Sequence, residues 1–262
     1  MTTKREVGVG ERYMRKFAIY GFVALVAAAG ATQTTPEAAA FFNDGMAKAN
    51  AGRYEEAVAA FEKSLIEDPN LVEAHEWIAH IFILQGDYGD AIERYQRIVA
   101  RNPSTDSKVS LGLAYLRVGD VDMAVKTLSN AVAADPSHYK GWNNLSLAYL
   151  RQGKVADARA AAERAVGLEP SFASAHVNLG NVELREGDAA AAVASFEKAV
   201  ALDADQVEAY FGLAGAYNYL GEEGKAGDSY VRYLKRAGQD QTKRGAAVKW
   251  LWEHGRGAEV PK

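Results

Sequence analysis

Six glycines recur along this chain at nearly constant spacing. Gly52, Gly86, Gly119, Gly153, Gly187 and Gly221 are separated by 34, 33, 34, 34 and 34 residues. Ala57, Ala91, Ala124, Ala158, Ala192 and Ala226 keep the same steps, and Pro69, Pro103, Pro136 and Pro170 keep them too. Three residue types held in phase over this length restrict the fold to an array of like units. The roles are physical. Gly admits the left-handed backbone of a tight turn between helices. Ala lets two helices approach closely, where a larger side chain would overpack at a cost of about 1–3 kcal/mol. Pro cannot continue a helix and so opens the next connection.

The stretch from Tyr139 to Phe172 shows the unit most fully. One helix carries Trp142, Leu145, Leu147, Tyr149 and Leu150, and Gly153 breaks it. A second is built on Val155, Ala158, Ala162, Ala165 and Val166, and Pro170 ends it. Trp142, Leu145, Tyr149, Ala158 and Pro170 stand where the tetratricopeptide (TPR) pattern has Trp, Leu, Tyr, Ala and Pro. The chain therefore resembles the TPR family, with two departures in this unit, Ser146 for the small Gly or Ala and Ala162 for the aromatic of the second helix. The resemblance implies an all-α protein, a right-handed TPR superhelix (α-solenoid) of six helix-turn-helix repeats with a C-terminal capping helix.

In that register the repeats cover 38–71, 72–104, 105–138, 139–172, 173–206 and 207–240, with a capping helix and tail over 241–262. The first has Asp44 where Leu is usual, as suits a terminal unit whose outer face meets water. The single missing residue falls just after Pro103, where Lys108 replaces the usual large apolar residue, and a change of stacking is expected there. The fifth lacks the closing proline and has Glu183 in place of the aromatic. After the sixth, Val248, Leu251 and Trp252 lie at helical spacing and are expected to cover the last exposed apolar face, with Trp250 off that stripe.

The N-terminus has a different character. Residues 1–16 carry five basic and two acidic residues, and Phe17 to Ala31 carry no charge. A basic start, a short apolar core and the small residues Ala29-Gly30-Ala31 describe a signal peptide. Residues 1–31 therefore read as a cleaved signal or as a short membrane anchor, followed by a linker over 32–37. The expected location is exported, either periplasmic or anchored in the inner membrane facing the periplasm.

With no cysteine among 262 residues, disulfides, thiolate catalysis and thiolate metal sites are excluded. A formal net charge of −4 argues against a general nucleic-acid binder, which needs a basic face to neutralise phosphates. No HExxH motif, phosphate-binding Gly loop or nucleophile elbow is present. His75 and His176 occupy the large-residue position of their repeats, which packing explains. Neither an enzyme nor a bound cofactor is expected.

In TPR proteins the concave groove, lined by the first helix of each pair, is the usual site for an extended peptide or partner helix. Three sets of residues fall there. Asn143, Asn144, Asn178 and Asn181, with Asn218 one repeat on, are mid-helix amides. They read either as surface polarity or as groups that pair with a peptide backbone of any sequence. Asn144 and Asn178 match the asparagine ladder of the TPR superhelix in O-GlcNAc transferases. Arg117, Arg151 and Arg185 each precede a turn glycine at the same place in consecutive repeats. They read either as cations favoured by the helix dipole or as a positive rail for carboxylates. Phe211 and Tyr219 are expected to face the groove as apolar anchors. Asn181 and Lys140 match part of the carboxylate clamp of co-chaperone TPR domains. The rest of that clamp is absent, so binding of a chaperone C-terminus is not expected.

The resemblance thus implies a scaffold or assembly factor that binds a protein or peptide partner in its groove, for an exported chain in bacterial envelope assembly. Two alternatives stand beside it. One is a role like that of the pilotin-like TPR proteins of type IV pilus assembly, similar in size and repeat count, although their lipidated cysteine is absent here. The other is a structural scaffold that self-associates. A membrane tether through residues 17–31 fits any of the three.

Overall fold

The computed structural model describes residues 34–101, 103–237 and 241–261. The stretch read as a signal or anchor lies outside them. No described helix is long and apolar enough to cross a membrane.

The described chain is helical, with no strand. In chain order the helices are α1 (Pro36–Asn50), α2 (Tyr54–Glu67), α3 (Val72–Gln85), α4 (Tyr88–Arg101), α5 (Thr105–Val118) and α6 (Val121–Ala134). They continue as α7 (Tyr139–Gln152) and α8 (Val155–Leu168), α9 (Ala173–Glu186) and α10 (Ala189–Leu202), α11 (Val207–Tyr219) and α12 (Glu223–Arg236). A thirteenth helix, α13 (Gln241–Glu253), and a 3-10 turn at Gly257–Glu259 follow. Helix α1 begins inside the stretch expected as linker. Pro36 takes its first position, and Thr35 caps it by accepting from the Ala38 N–H at 3.1 Å.

The helices fall into two compact units that divide after Gly119. The boundary lies at the turn of the third repeat. The six turn glycines all have positive φ, between 71° and 88°, and the six phased alanines are each fully buried.

In the first unit the core centres on Phe61, which stacks on Trp77 at 6.1 Å, with Ile78 and Ile81 fully buried beside them. Arg101 donates to the Pro69 carbonyl at 2.9 Å, and His75 Nε2 contacts the same oxygen at 3.2 Å. His75 Nδ1 meets Arg94 at 3.1 Å, and Arg94 also pairs with Glu62. A guanidinium only donates, so Nδ1 accepts and the imidazole proton sits on Nε2.

The second unit repeats this clasp. The Pro136 carbonyl accepts from Trp142 Nε1 at 3.0 Å and from Arg164 at 3.4 Å. The Pro170 carbonyl accepts from His176 Nε2 at 2.9 Å. The Ala204 carbonyl accepts from the Tyr210 hydroxyl and from Arg236 Nε, each at 3.1 Å, with the guanidinium stacked 4.7 Å from the Tyr210 ring centre. In each case the fourth residue of a repeat reaches back to the carbonyl that closes the one before. Packing alone therefore does not account for His75 and His176: their rings also meet a carbonyl of the connection between repeats.

The departures in the fourth repeat compensate each other. In the fifth, a Cβ on Gly180 would lie 2.8 Å from the Phe196 ring, so only Gly fits against that aromatic. In the fourth, Ala162 leaves the room that Phe196 fills in the fifth. Ser146 occupies the matching position, fully buried, and donates to the Ala158 carbonyl at 2.8 Å.

Helix α13 corrects the sequence reading. Its buried residues are Ala247, Trp250 and Leu251, while Trp252 is 66 % exposed and Val248 is half-buried. The reason is register. Helix α13 begins 34 residues after α11, and Gly255, with φ of 72°, follows Gly221 by 34. The helix is the first half of a seventh repeat, and it buries the face that Leu213, Ala216 and Tyr217 bury in the sixth. The Trp250 indole donates to Asn218 Oδ1 at 2.9 Å and stacks on His254 at 3.9 Å, so Trp250 is packed although it lies off the stripe read from the sequence.

Candidate functional site

In the second unit α7 and α9 are consecutive first helices. Their residues two, three and six positions ahead of the turn glycine line one pocket of about 320 Å³. Helix α7 supplies Leu147, Leu150 and Arg151, and α9 supplies Asn181, Leu184 and Arg185. The leucines are half-buried and form an apolar surface, and both arginines are exposed. Asn181 is the polar group between them.

The expected site residues divide on the structure. Arg151, Arg185 and Asn181 come together at this pocket. Asn143 and Asn178 do not present themselves to solvent, being 8 % exposed each. Asn178 donates its side-chain amide to the Asn143 carbonyl at 2.9 Å and to Asn143 Oδ1 at 2.8 Å. Asn143 in turn reaches Asn144 Oδ1 at 3.4 Å. These amides join α7 to α9 within the chain, which corrects their reading as open groups for a ligand backbone. They hold the two helices that carry the pocket. Asn144 is half-buried beside them, and Asn218 is engaged by Trp250.

Phe211 is also committed to packing. Its ring meets Tyr230 at 5.7 Å and Tyr233 at 5.2 Å, edge to face, with Lys243 Nζ 5.8 Å from its centre. Tyr219 is open, 69 % exposed, and its hydroxyl lies 3.8 Å from the position a Cβ would take on Gly187. It stands two residues ahead of Gly221, the same place that Arg185 holds before Gly187. Leu147, Leu150 and Leu184 were not singled out as site residues in the sequence. The signal was available, since Leu150 and Leu184 are one repeat apart, each beside a candidate arginine.

Behind the pocket, on the other face of α9, Glu183 is 7 % exposed, and its Oε2 has no hydrogen-bond partner among the described residues. Burial raises its carboxyl above the usual range, against the hydrogen bond from Ser195 and the charge of Arg159. Arg159 bridges Glu163 at 3.1 Å and Glu186 Oε1 at 2.9 Å. The acid next to Arg185 is therefore taken from behind. Among the described residues Arg185 has no ion-pair partner.

Arg117 belongs to the first unit, exposed at the end of α5. There Glu76 on α3 is pushed up to about 7, mainly by burial and then by Glu73 and Asp106. His80, one turn on, is pushed down to about 4, mainly by burial and then by Arg117.

Comparison with known proteins bears on this arrangement. Two models described as "Tetratricopeptide repeat" match the chain, one over residues 23–72, 109–173, 146–207 and 177–241, the other over 49–114. The chain belongs to the tetratricopeptide-repeat family. Proteins of this family mediate protein–protein interaction.

Individual relatives are local matches. A BBSome complex member, BBS4 of Bos taurus, is 39 % identical over 24 % of this chain and 12 % of its own length. The TPR repeat-containing protein YpiA of Bacillus subtilis is 32 % identical over 33 % of this chain and 21 % of its own. The photosystem I assembly protein Ycf3 of Synechococcus is 29 % identical over 39 % of this chain and 70 % of its own. The chain thus spans under a quarter of the length of BBS4 and YpiA. Among solved structures, a TPR protein of Thermus thermophilus matches with a TM-score of 0.63 at 24 % identity, over 69 % of this chain and 99 % of that one. The APC/C Cut9–Hcn1 structure matches with a TM-score of 0.70 at 19 % identity, over 82 % and 43 %. Pseudomonas aeruginosa pilF matches with a TM-score of 0.63 at 16 % identity, over 81 % and 97 %. At these identities the likeness is one of fold.

Proposed function

We propose that this TPR chain is a non-catalytic scaffold or assembly factor that grips a segment of another protein in the groove of its second unit. The observation that carries this reading is the pocket itself. Consecutive repeats place an apolar surface of three leucines beside two exposed guanidiniums and one amide. Ligand sites commonly combine an apolar lining with a few convergent polar groups. The Ycf3 relative is named as an assembly protein, which suits the same role. The basic start and apolar stretch of residues 1–31 support work outside the cytoplasm of a bacterium, as an exported or tethered chain.

The test is quantitative capture from native envelopes with the full chain as bait. The wild type is compared with Leu147→Ser/Leu184→Ser and with Lys198→Glu on the exposed side of α10, helicity being checked in each. A partner retained by the wild type and Lys198→Glu but lost from the leucine variant supports the groove. Equal retention by all three overturns it. Capture of this chain alone favours a self-associating scaffold instead.

A further inference from the structure

Helix α13 leaves open the places by which α7 and α11 hold the first helix of the following repeat. In α7 one such place is Asn143, which accepts from Asn178 of α9. In α11 another is Asn218, which accepts from Trp250 of α13. The residues of α13 in register with Asn143 and Asn218 are Gly245 and Trp252, three repeats and one repeat on. No further α-helix follows among the described residues, and Trp252 is 66 % exposed.

Two features of this stripe ask for a neighbour. The Trp252 ring is held from one side: a Cβ on Gly257 would lie 2.3 Å from it, so the tail backs the ring before any contact is made. A side chain already fixed loses little freedom on binding, and Trp is enriched among the residues that dominate interface energies. Gly245 lies two turns ahead, inside the helix, where Gly costs about 1 kcal/mol against Ala. Its φ is not positive, and among the described residues nothing outside its own helix lies within 4 Å of where a Cβ would be. Neither backbone conformation nor packing within the chain therefore calls for Gly there. Val248, half-buried, lies between the two. Lys249 and Glu253 flank them and pair with each other at 3.7 Å, so the face carries no net charge against a copy of itself.

We propose that this stripe docks the α13 helix of a second copy of the chain. In an antiparallel pair about a twofold axis the contact is isologous, residue i meeting j while j meets i. An axis at the level of Val248 and Lys249 sets Trp252 of each copy over Gly245 of the other. The large side chain then enters the space that Gly leaves open, at both ends of the stripe at once. The groove reading is independent of this contact, since Leu147, Leu184 and the arginines take no part in it.

The experiment is sedimentation velocity of the full chain over a wide range of concentration, beside Trp252→Ser and Gly245→Trp, helicity being checked in each. The chain has no cysteine, so Lys249→Cys near the proposed axis and Lys198→Cys on the exposed side of α10 each give single-site disulfide crosslinking under mild oxidation. The expected result is a monomer–dimer equilibrium that weakens at least about tenfold in Trp252→Ser and in Gly245→Trp. A covalent dimer should form from position 249 and not from position 198. A chain that stays monomeric throughout would overturn the proposal. So would association that survives both Trp252→Ser and Gly245→Trp, and so would growth beyond the dimer, which an isologous contact does not allow.

Discussion

Asn178 donates its side-chain amide to Asn143 twice, to the backbone carbonyl at 2.9 Å and to the side-chain oxygen at 2.8 Å. Both residues are 8 % exposed, so water cannot readily replace the donor. Asn178→Ala leaves those acceptors unsatisfied and should cost about 1–3 kcal/mol. Asn181→Ala, on the open pocket, should stay within about 0.5 kcal/mol. Urea unfolding at unchanged slope measures both. Equal effects would contradict the division of the asparagines into internal and ligand-facing.

The carbonyl clasps predict a pattern of additivity. Trp142→Phe and Tyr210→Phe each remove one hydrogen bond, worth about 0.5–1.5 kcal/mol, at separate carbonyls. Their double variant should lose the sum to within about 0.5 kcal/mol. Tyr210→Phe and Arg236→Ala share the Ala204 carbonyl and a ring–guanidinium contact, so that pair should depart from the sum. Thermodynamic cycles from denaturant midpoints give the answer.

Glu183 sets a pH dependence in the second unit. Its carboxyl is raised from 4.5 by burial, so the folded chain holds that proton more tightly than the unfolded one. The contribution is therefore full below pH 4.5 and lost as pH rises through the raised value. Glu183→Gln should remove this loss and raise the midpoint near neutrality. The gain over the wild type should shrink on acidification. A gain that does not change with pH would point to packing instead.

Two titrating groups oppose each other in the first unit. Glu76 contributes stability that is full below pH 4.5 and lost as pH rises to about 7. His80 contributes stability that is full above pH 6.5 and lost as pH falls to about 4. The groups they feel are Glu73 on the same helix, Tyr95 on α4, and Asp106 and Arg117 on α5. Between pH 4.5 and 6.5 the wild type should be flatter than either variant. His80→Gln should lose stability as pH rises, and Glu76→Gln should lose it as pH falls. Slopes of the same sign in the two variants would refute this account.

The repeat architecture was legible because its marks are residue types. A turn with φ near 80° selects Gly, and a helix crossing without room for a side chain selects Ala, so both recur in the letters. The clasps were hidden because their acceptor is a backbone carbonyl, which any residue supplies, and their donors change from His to Trp to Tyr. The asparagines misled for a related reason. An amide suits a ligand backbone and a neighbouring helix equally, and only burial separates the two.

In the cap Leu251 is buried as its spacing predicts, but the register places Ala247 and Trp250 inward beside it and leaves the larger Trp252 exposed. Gly255, continuing the glycine series, was the sequence mark that would have shown it. Phe211 was assigned to the groove by position, but the tyrosines of α12 take up its ring. The arginines were legible as a register, and Arg151 and Arg185 share a pocket, but Arg117 belongs to the other unit.

The central claim is that partners enter between α7 and α9, and site-specific photo-crosslinking tests it most directly. A photoreactive residue replaces Asn181 in one preparation and the exposed Lys198 of α10 in another. Both are irradiated with native envelope extract, with and without Arg151→Glu/Arg185→Glu. The account predicts a discrete crosslinked partner from position 181 that disappears in the arginine variant, with none of that partner from position 198. The same partner crosslinking from 198 and not from 181 would contradict it.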